Sequence, residues 1–325
     1  MLTRNSQILT EHYQNINHDG DDVIQGLTQT PKSLPPKYFY DDRGSELFEQ
    51  ICQLPEYYPT RTEAWILSQY ADEIAHITGE CELIELGSGS STKTIFLLDA
   101  YQKLARSLRY IPIDVSAGIL KASVFNLQKK YPDSLIDGLV GTYEQALTQL
   151  AATVSSSRMI FFLGSSIGNF NPQESDRFLR QLADALNPGD YFLLGLDLQK
   201  PQSILEAAYN DSQGVTAAFN LNMLSHLNWR FQGNFDLNLF THQAIYNQAD
   251  AQIEMYLRTH KSHWVNLEAL DLKVFFETGE SILTEISRKF DLAIMPKKLE
   301  NYGLKTMKIW TDPQQWFGLI LCQAE

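Results

Sequence analysis

The stretch Cys81-Glu82-Leu83-Ile84-Glu85-Leu86-Gly87-Ser88-Gly89-Ser90-Ser91-Thr92-Lys93-Thr94 narrows the possible folds of this chain more than any other. A short apolar run breaks at glycines, and the pattern predicts a helix over Thr92 to Leu104. A buried strand that feeds a tight turn, with amides aimed at a ligand, is how an α/β sheet holds a nucleotide-derived cofactor. A second apolar run, Tyr110-Ile111-Pro112-Ile113, ends about 27 residues beyond Gly87 in Asp114, where an acid accepts hydrogen bonds from ribose hydroxyls. Together the two segments point to an adenosine-bearing ligand.

A dinucleotide fingerprint needs a third glycine for helix packing under a pyrophosphate, and Thr92 occupies that place. This disfavours a nicotinamide-dependent oxidoreductase. S-adenosylmethionine has no phosphate, only a carboxylate and an ammonium, so a looser turn with Ser90, Ser91 and Thr92 as capping hydroxyls serves it. Lys93 falls in the first turn of the predicted helix, where a cation opposes the helix dipole at a cost of roughly 0.3–1 kcal/mol unless an anion is near. Two readings stand side by side: the cofactor carboxylate is that anion, or Lys93 extends into water.

The chain has 325 residues, 44% of them hydrophobic, enough for one large domain or two modest ones. Its net charge of −13 repels polyphosphate and argues against a nucleic-acid substrate. The adenine-methylase signature of Asn or Asp before Pro-Pro-aromatic is missing too: Asn171-Pro172 continues to Gln173, and Pro35-Pro36 follows Leu34. A small-molecule or protein substrate is favoured. The segment Met1-Leu2-Thr3-Arg4-Asn5-Ser6-Gln7 has no apolar core, and no run approaches the ~18 apolar residues of a membrane span, so a cytoplasmic protein is expected. Cys52, Cys81 and Cys322 lack paired spacing and are expected to be buried thiols. His260 and His263 face opposite sides if their segment is a strand, and no carboxylate stands at ligand spacing, so no metal is expected.

From Trp65 to Leu198 short apolar runs alternate with longer amphipathic stretches, the pattern of βαβ units on a parallel sheet. Strands are predicted at Glu82 to Leu86, Leu108 to Asp114, Leu135 to Val140, Met159 to Gly164 and Tyr191 to Leu198. Helices fit at Thr92 to Leu104, Ala117 to Lys130, Tyr143 to Ala151 and Gln173 to Leu186, the last stopped by Asn187-Pro188-Gly189. From about Gln199 to Thr278 the texture turns rich in Asn, Gln and aromatics, and Phe219-Asn220-Leu221-Asn222-Met223-Leu224 fits neither a parallel strand nor a surface helix. Glu280 to Phe290 is predicted helical from Ile282, Leu283, Ile286 and Phe290, and strands Leu304 to Thr311 and Trp316 to Gln323 close the sheet. Residues 62–198 and 279–325 are therefore expected to form a doubly wound α/β domain, with 199–278 inserted as an α+β domain and 1–61 packing with the insert.

In such a sheet ligands sit beyond the carboxyl ends of the strands, where Gly87, Asp114, Thr142 and Gly164 fall. The loop Ser165-Ser166-Ile167-Gly168-Asn169-Phe170 lets a substrate approach closely and offers the Asn169 amide, though an ordinary glycine loop with Asn as turn former reads the same way.

Several further segments resemble the histidine-specific Nα-methyltransferase family of ergothioneine biosynthesis. They are Lys37-Tyr38-Phe39-Tyr40-Asp41, Leu54-Pro55-Glu56-Tyr57-Tyr58-Pro59-Thr60-Arg61, Glu85-Leu86-Gly87-Ser88-Gly89-Ser90, Asp114-Val115-Ser116 and Phe162-Leu163-Gly164-Ser165-Ser166-Ile167-Gly168-Asn169. Ala208-Tyr209-Asn210-Asp211, Ile253-Glu254-Met255 and Leu283-Thr284-Glu285-Ile286-Ser287 complete the match, which runs from about Pro31 onward. The resemblance implies a class I methyltransferase sheet of seven strands and S-adenosylmethionine held by Gly87, Lys93 and Asp114, with Thr142 and Tyr143 flanking the adenine. Some relatives carry an acid where this chain has Thr142.

For the substrate, L-histidine and its mono- and dimethylated forms, the resemblance implies Asn169 and Tyr209 at the carboxylate and Tyr40 at the amine. It implies Tyr57, Glu285 and Ser287 at the imidazole, with Met255 as a wall. Tyr40 and Asn169 are then the catalytic pair. A buried carboxylate such as Glu285 prefers an imidazole N–H to an apolar side chain that leaves it without a donor. On a regular helix, however, Glu285 and Ser287 do not share a face, and without the resemblance Glu285 reads as a surface pair with Lys289 and Tyr57 as a core aromatic. The amine is expected to lose its proton to solvent before reaction, no general base beyond Tyr40 and water being evident. The product would be Nα,Nα,Nα-trimethylhistidine, made by a monomer. A branch acting on tryptophan or a prenylated tryptophan, and a catalytically silent binding protein, are the alternatives.

Overall fold

The computed structural model describes residues 8–9, 19–104, 108–150 and 157–325, and these divide into two units. The first comprises Pro59–Gln199 and Lys289–Glu325 with the short strand Ile8–Leu9; the second comprises residues 19–58 and Lys200–Arg288.

The first unit is built on one sheet, ordered Ile8–Leu9, Gly138–Val140, Arg109–Asp114, Glu82–Leu86, Arg158–Phe162, Tyr191–Asp197, Phe317–Ala324, Leu304–Thr311. The first six run parallel, and the closing hairpin runs antiparallel. The seven strands expected are present, with two changes: the third is split into Leu135–Ile136 and Gly138–Val140, and Ile8–Leu9 adds an edge. Strands buried on both faces read as largely apolar runs, and Leu83-Ile84 and Met159-Ile160-Phe161-Phe162 made Glu82–Leu86 and Arg158–Phe162 legible despite their charged residues.

Alternate residues feed two cores. Leu83, Tyr110, Met159, Phe161 and Leu193 pack with Ile66, Leu98 and Leu120 on one face, while Ile84, Ile113, Ile160, Phe162 and Leu194 pack with Phe178 and Leu182 on the other. The helices are Tyr58–Thr78, Ile95–Leu104, Ala117–Lys130, Tyr143–Gln149, Pro172–Ala185 and Met295–Glu300. The Ala117–Lys130 helix has the expected bounds, and Asn171 caps Pro172–Ala185 through a capping box with Glu174. Ala151, the expected end of the third helix, lies outside the described residues.

The second unit centres on a sheet ordered Lys32–Ser33, Ser281–Arg288, Gln252–Thr259, Phe240–Asn247, with a separate hairpin His263–Leu267 and Leu272–Phe276. Two expectations fail here. Residues 280–290 are not a helix: Ser281–Arg288 is a central strand, so the boundary expected at 279 moves to Lys289. Its β-branched and apolar residues fit a pleated surface, and a bulge disguised the alternation. Met255 pairs with Glu285 but Tyr256 pairs with Leu283, leaving Thr284 as the extra residue, its hydroxyl donating to the Met255 carbonyl at 3.1 Å.

Second, Phe219–Leu224 lies within a helix, Val215–Phe231, whose Phe219, Asn220, Met223, Leu224 and Leu227 are all buried. Its buried positions recur at helical spacing, but Thr216, Asn220 and His226 are among them and Trp229 is exposed, so polarity does not mark the covered face. The strand carrying Met255 ends at Thr259, so His260 and His263 do not share it. Cys81 and Cys322 are buried, which pushes their thiols up to about 11 and about 12; Cys52, expected to be buried, is partly exposed.

Candidate active site

In the first unit, sheet order reverses at Glu82–Leu86, whose neighbours Arg109–Asp114 and Arg158–Phe162 lead in opposite directions. That is the crevice position of a doubly wound sheet, and the glycine turn occupies it. Gly87 and Gly89 have φ of +70° and +50°, and a Cβ on Gly87 would stand 2.9 Å from the Tyr143 hydroxyl.

The turn's amides are not all aimed at a ligand, as the sequence suggested. Gly87 and Ser88 N–H both donate to the Ile113 carbonyl, at 2.8 and 3.0 Å, and Gly89 N–H donates to Asp114 Oδ2 at 2.8 Å. Asp114 Oδ1 accepts from Ser116 N–H at 2.8 Å. Each carboxylate oxygen thus takes one of these backbone donors, and a carboxylate can accept about four hydrogen bonds in all. Burial raises the Asp114 pKa, against the pull of those backbone bonds. The next helix starts at Ile95, not Thr92, so Ser90, Ser91 and Thr92 do not cap it. Thr142 does cap its helix, accepting from Gln145 N–H at 3.4 Å, and burial raises the pKa of the adjoining Tyr143.

Two buried carboxylates under this turn escaped the sequence reading. Glu85 accepts from the Thr94 hydroxyl at 2.8 Å on both oxygens and from the Tyr110 hydroxyl. The Tyr110 and Ser123 hydroxyls lie 3.2 and 2.9 Å from Ser91 Oγ, so Ser91, at φ +54°, is tied to the same network. Glu63, on the Tyr58–Thr78 helix, is fully buried and bound to the Lys93 ammonium. Neither reading of Lys93 named this partner. The signal for Glu85 was an acid between Ile84 and Leu86 within a buried strand, a position that demands hydrogen-bond partners.

Asn169 ends the 3₁₀ turn Ser166–Asn169 in this unit, after Ser165 at φ +58°, whose hydroxyl accepts from Asp197 N–H at 2.8 Å. Lys289 is buried rather than on the surface, and it faces the buried Asp197 carboxylate at 2.9 Å.

The second unit gathers the other residues expected at the substrate. Tyr40, Phe48, Tyr57 and Tyr209 form a chain of edge-to-face rings with centroids 5.9, 6.3 and 6.1 Å apart. The Tyr209 hydroxyl is 2.8 Å from Ser287 Oγ. Tyr209, Ser287 and Met255 are buried, and Met255 stands opposite Glu285 in the strand pairing. Because Ser281–Arg288 is a strand, Glu285 and Ser287, two apart, share a face, which removes the difficulty a helix posed. Burial lifts the Tyr57 pKa far above its ordinary value, and the nearby Tyr209, Cys52, Glu285 and Tyr40 add to it. Tyr57 therefore stays a neutral phenol at physiological pH. Behind Tyr209, its carbonyl meets His242 Nε2 at 2.8 Å, and burial depresses the His242 pKa.

Among the described residues no group of three or more His, Cys, Asp and Glu could hold a metal ion, and no helix is long and apolar enough to cross a membrane. Residues 19–324 match the model of a family described as histidine-specific methyltransferase, SAM-dependent. The histidine N-alpha-methyltransferase of Mycolicibacterium smegmatis is 47% identical over 300 residues, covering 92% of this chain and 93% of that protein. That of Mycobacterium tuberculosis is 45% identical with the same coverage. Ergothioneine biosynthesis protein 1 of Neurospora crassa is 35% identical over 233 residues, 66% of this chain and 26% of that protein.

Proposed function

Because this chain belongs to the family of histidine-specific, S-adenosylmethionine-dependent methyltransferases, we propose that it trimethylates the α-amine of L-histidine as the first step of ergothioneine biosynthesis. The observation that carries the substrate assignment is the grouping of Tyr57, Tyr209, Glu285 and Ser287 in one unit, with Met255 paired opposite Glu285.

The first unit's turn suits the cofactor. Gly87 lets the turn pass close to the Tyr143 ring, where a Cβ would collide with its hydroxyl, and Asp114 keeps acceptor capacity beyond the Gly89 and Ser116 donors for the ribose hydroxyls. Lys93 offers its ammonium to the methionine carboxylate, while Thr142 and Tyr143 border the adenine. When bound, S-adenosylmethionine supplies an electrophilic methyl group.

Glu285 takes an imidazole N–H, and a side chain without that donor leaves a carboxylate unsatisfied, a penalty that gives strong discrimination. Tyr57 and Ser287 complete the polar contacts to the ring, Met255 closes an apolar wall, and Tyr209 and Asn169 receive the substrate carboxylate. Tyr40 orients the amine, which reaches the reaction unprotonated after losing its proton to solvent. Alignment of this kind lowers a barrier by on the order of 7 kcal/mol in well-oriented systems. The fixed cation of the product is stabilised by tyrosine faces, by up to about 2 kcal/mol where water is excluded. We assign the activity to a monomer in the cytoplasm, which sedimentation and cell fractionation check.

Mass spectrometry of products from free histidine, tryptophan and tyrosine tests the substrate. Stepwise formation of mono-, di- and trimethylhistidine supports the assignment, and turnover of tryptophan alone ends it.

A further inference from the structure

We infer that Glu63 is a positioning residue of the cofactor site, its buried carboxylate fixing the direction of the Lys93 ammonium and the shape of the Gly164 turn together. This rests on the reading of Lys93 as the ligand of the cofactor's carboxylate.

Glu63 is fully buried, and burying a carboxylate costs several kcal/mol unless its partners are well placed. The structure supplies them from two loops. Gly164 N–H donates to Glu63 Oε1 at 2.8 Å and to Oε2 at 3.0 Å, and the Lys93 ammonium bonds Oε2. Lys93 follows the strand Glu82–Leu86 and Gly164 follows Arg158–Phe162. These strands pair in parallel from Glu82 opposite Arg158 to Glu85 opposite Phe161, so one carboxylate clasps the loops leaving adjacent carboxyl ends, where the sheet order reverses.

Two glycines make room. A Cβ on Gly195 would fall well inside contact distance of Glu63 Oε1, and one on Gly164, itself at φ +72°, would lie 3.7 Å from Lys93 Nζ. The fold thus opens a hole in the strand Tyr191–Asp197 for this carboxylate. An ion pair so buried is a poor source of stability, since well-packed apolar residues often serve as well. What it gives is direction. Lysine carries a point charge on a flexible four-carbon stem, and a fixed carboxylate selects one orientation of it. Glu85 is a further titratable group near the pair: Lys93 lowers its pKa and Glu63 raises it, and burial keeps it protonated up to about 8.

The test is calorimetric binding of S-adenosylhomocysteine to the full-length protein and its E63Q, K93M, E63Q/K93M and G195A variants. If Glu63 acts through Lys93, E63Q and K93M each weaken binding by about tenfold or more, while the double variant is within about twofold of K93M. The KM for S-adenosylmethionine rises in E63Q and the KM for histidine does not. E63Q binding within twofold of the parent while K93M is weakened overturns the assignment to Glu63, as does a double variant whose losses multiply. K93M binding like the parent overturns the reading of Lys93 itself, and the inference with it. If E63Q does not fold, G195A takes its place: it keeps both charges but presses a methyl on the carboxylate, and unchanged affinity overturns the proposal.

Discussion

Replacing Glu85 with glutamine will remove a large part of the pH dependence of folding stability between about pH 5 and pH 8. Glu85 sits in the fully buried strand Glu82–Leu86, and burial pushes its pKa from 4.5 up to about 8, although bonds from Tyr110 and Thr94 and the charge of Lys93 pull it back. Over that window the folded protein holds a proton that the unfolded chain has released. The stability this contributes is complete below pH 4.5 and is lost as pH rises through about 8. From 4.5 to 8 is 3.5 pH units, which at about 1.36 kcal/mol each sets an upper bound on the order of 5 kcal/mol.

Other groups act with the opposite sign. Glu73, Glu254 and Asp211 are held below their ordinary values and lose stability as pH falls into the acid range, and His242, depressed by burial, does so below 6.5. Subtracting the E85Q curve from the parent curve cancels these. Denaturant unfolding at half-unit steps from about pH 5 to 8.5 is expected to show the parent losing several kcal/mol relative to E85Q. Parallel curves would refute the reasoning, because Glu85 would then be ionised throughout.

Three further outcomes follow from the geometry. Gly87→Ala puts a side chain at φ +70°, 2.9 Å from the Tyr143 hydroxyl, and will weaken S-adenosylhomocysteine binding by about tenfold or more in calorimetry, left-handed backbone alone costing about 1–2 kcal/mol. Tyr209→Phe removes the hydroxyl 2.8 Å from Ser287 Oγ; steady-state kinetics should show the KM for histidine rising by about fivefold, with the KM for the cofactor unchanged. Lys289→Met takes away the ammonium facing the buried Asp197 carboxylate and costs about 3–5 kcal/mol in urea unfolding, much of which Asp197→Asn in the same chain restores.

The parallel sheet was readable because its strands are short apolar runs closed by glycine or an acid, as at Leu86-Gly87 and Ile113-Asp114. The second unit was not, for two physical reasons. Val215–Phe231 buries Thr216, Asn220 and His226 along with its apolar residues and leaves Trp229 exposed, so polarity does not mark its covered face. Ser281–Arg288 carries an extra residue at Thr284, so Ile282, Thr284 and Ser287 are the buried positions, a spacing that mimics neither a clean strand nor its absence. Glu285 and Ser287 were named through the family resemblance rather than through periodicity, and it is the strand Ser281–Arg288 that puts them on one face. Glu63 went unnamed because its partners, Lys93 and Gly164, are 30 and 101 residues away in sequence. Local pattern carries no trace of a contact at that range.

The stitching of Gly87 and Ser88 to the Ile113 carbonyl, and of Gly89 to Asp114, means that the turn we propose for the cofactor is ordered by the neighbouring strand before any ligand arrives. Its conformational entropy is surrendered during folding, so little is left to be lost on association. A preordered turn of this kind raises affinity for spent and fresh nucleoside alike, since both meet the same surface in each of three rounds.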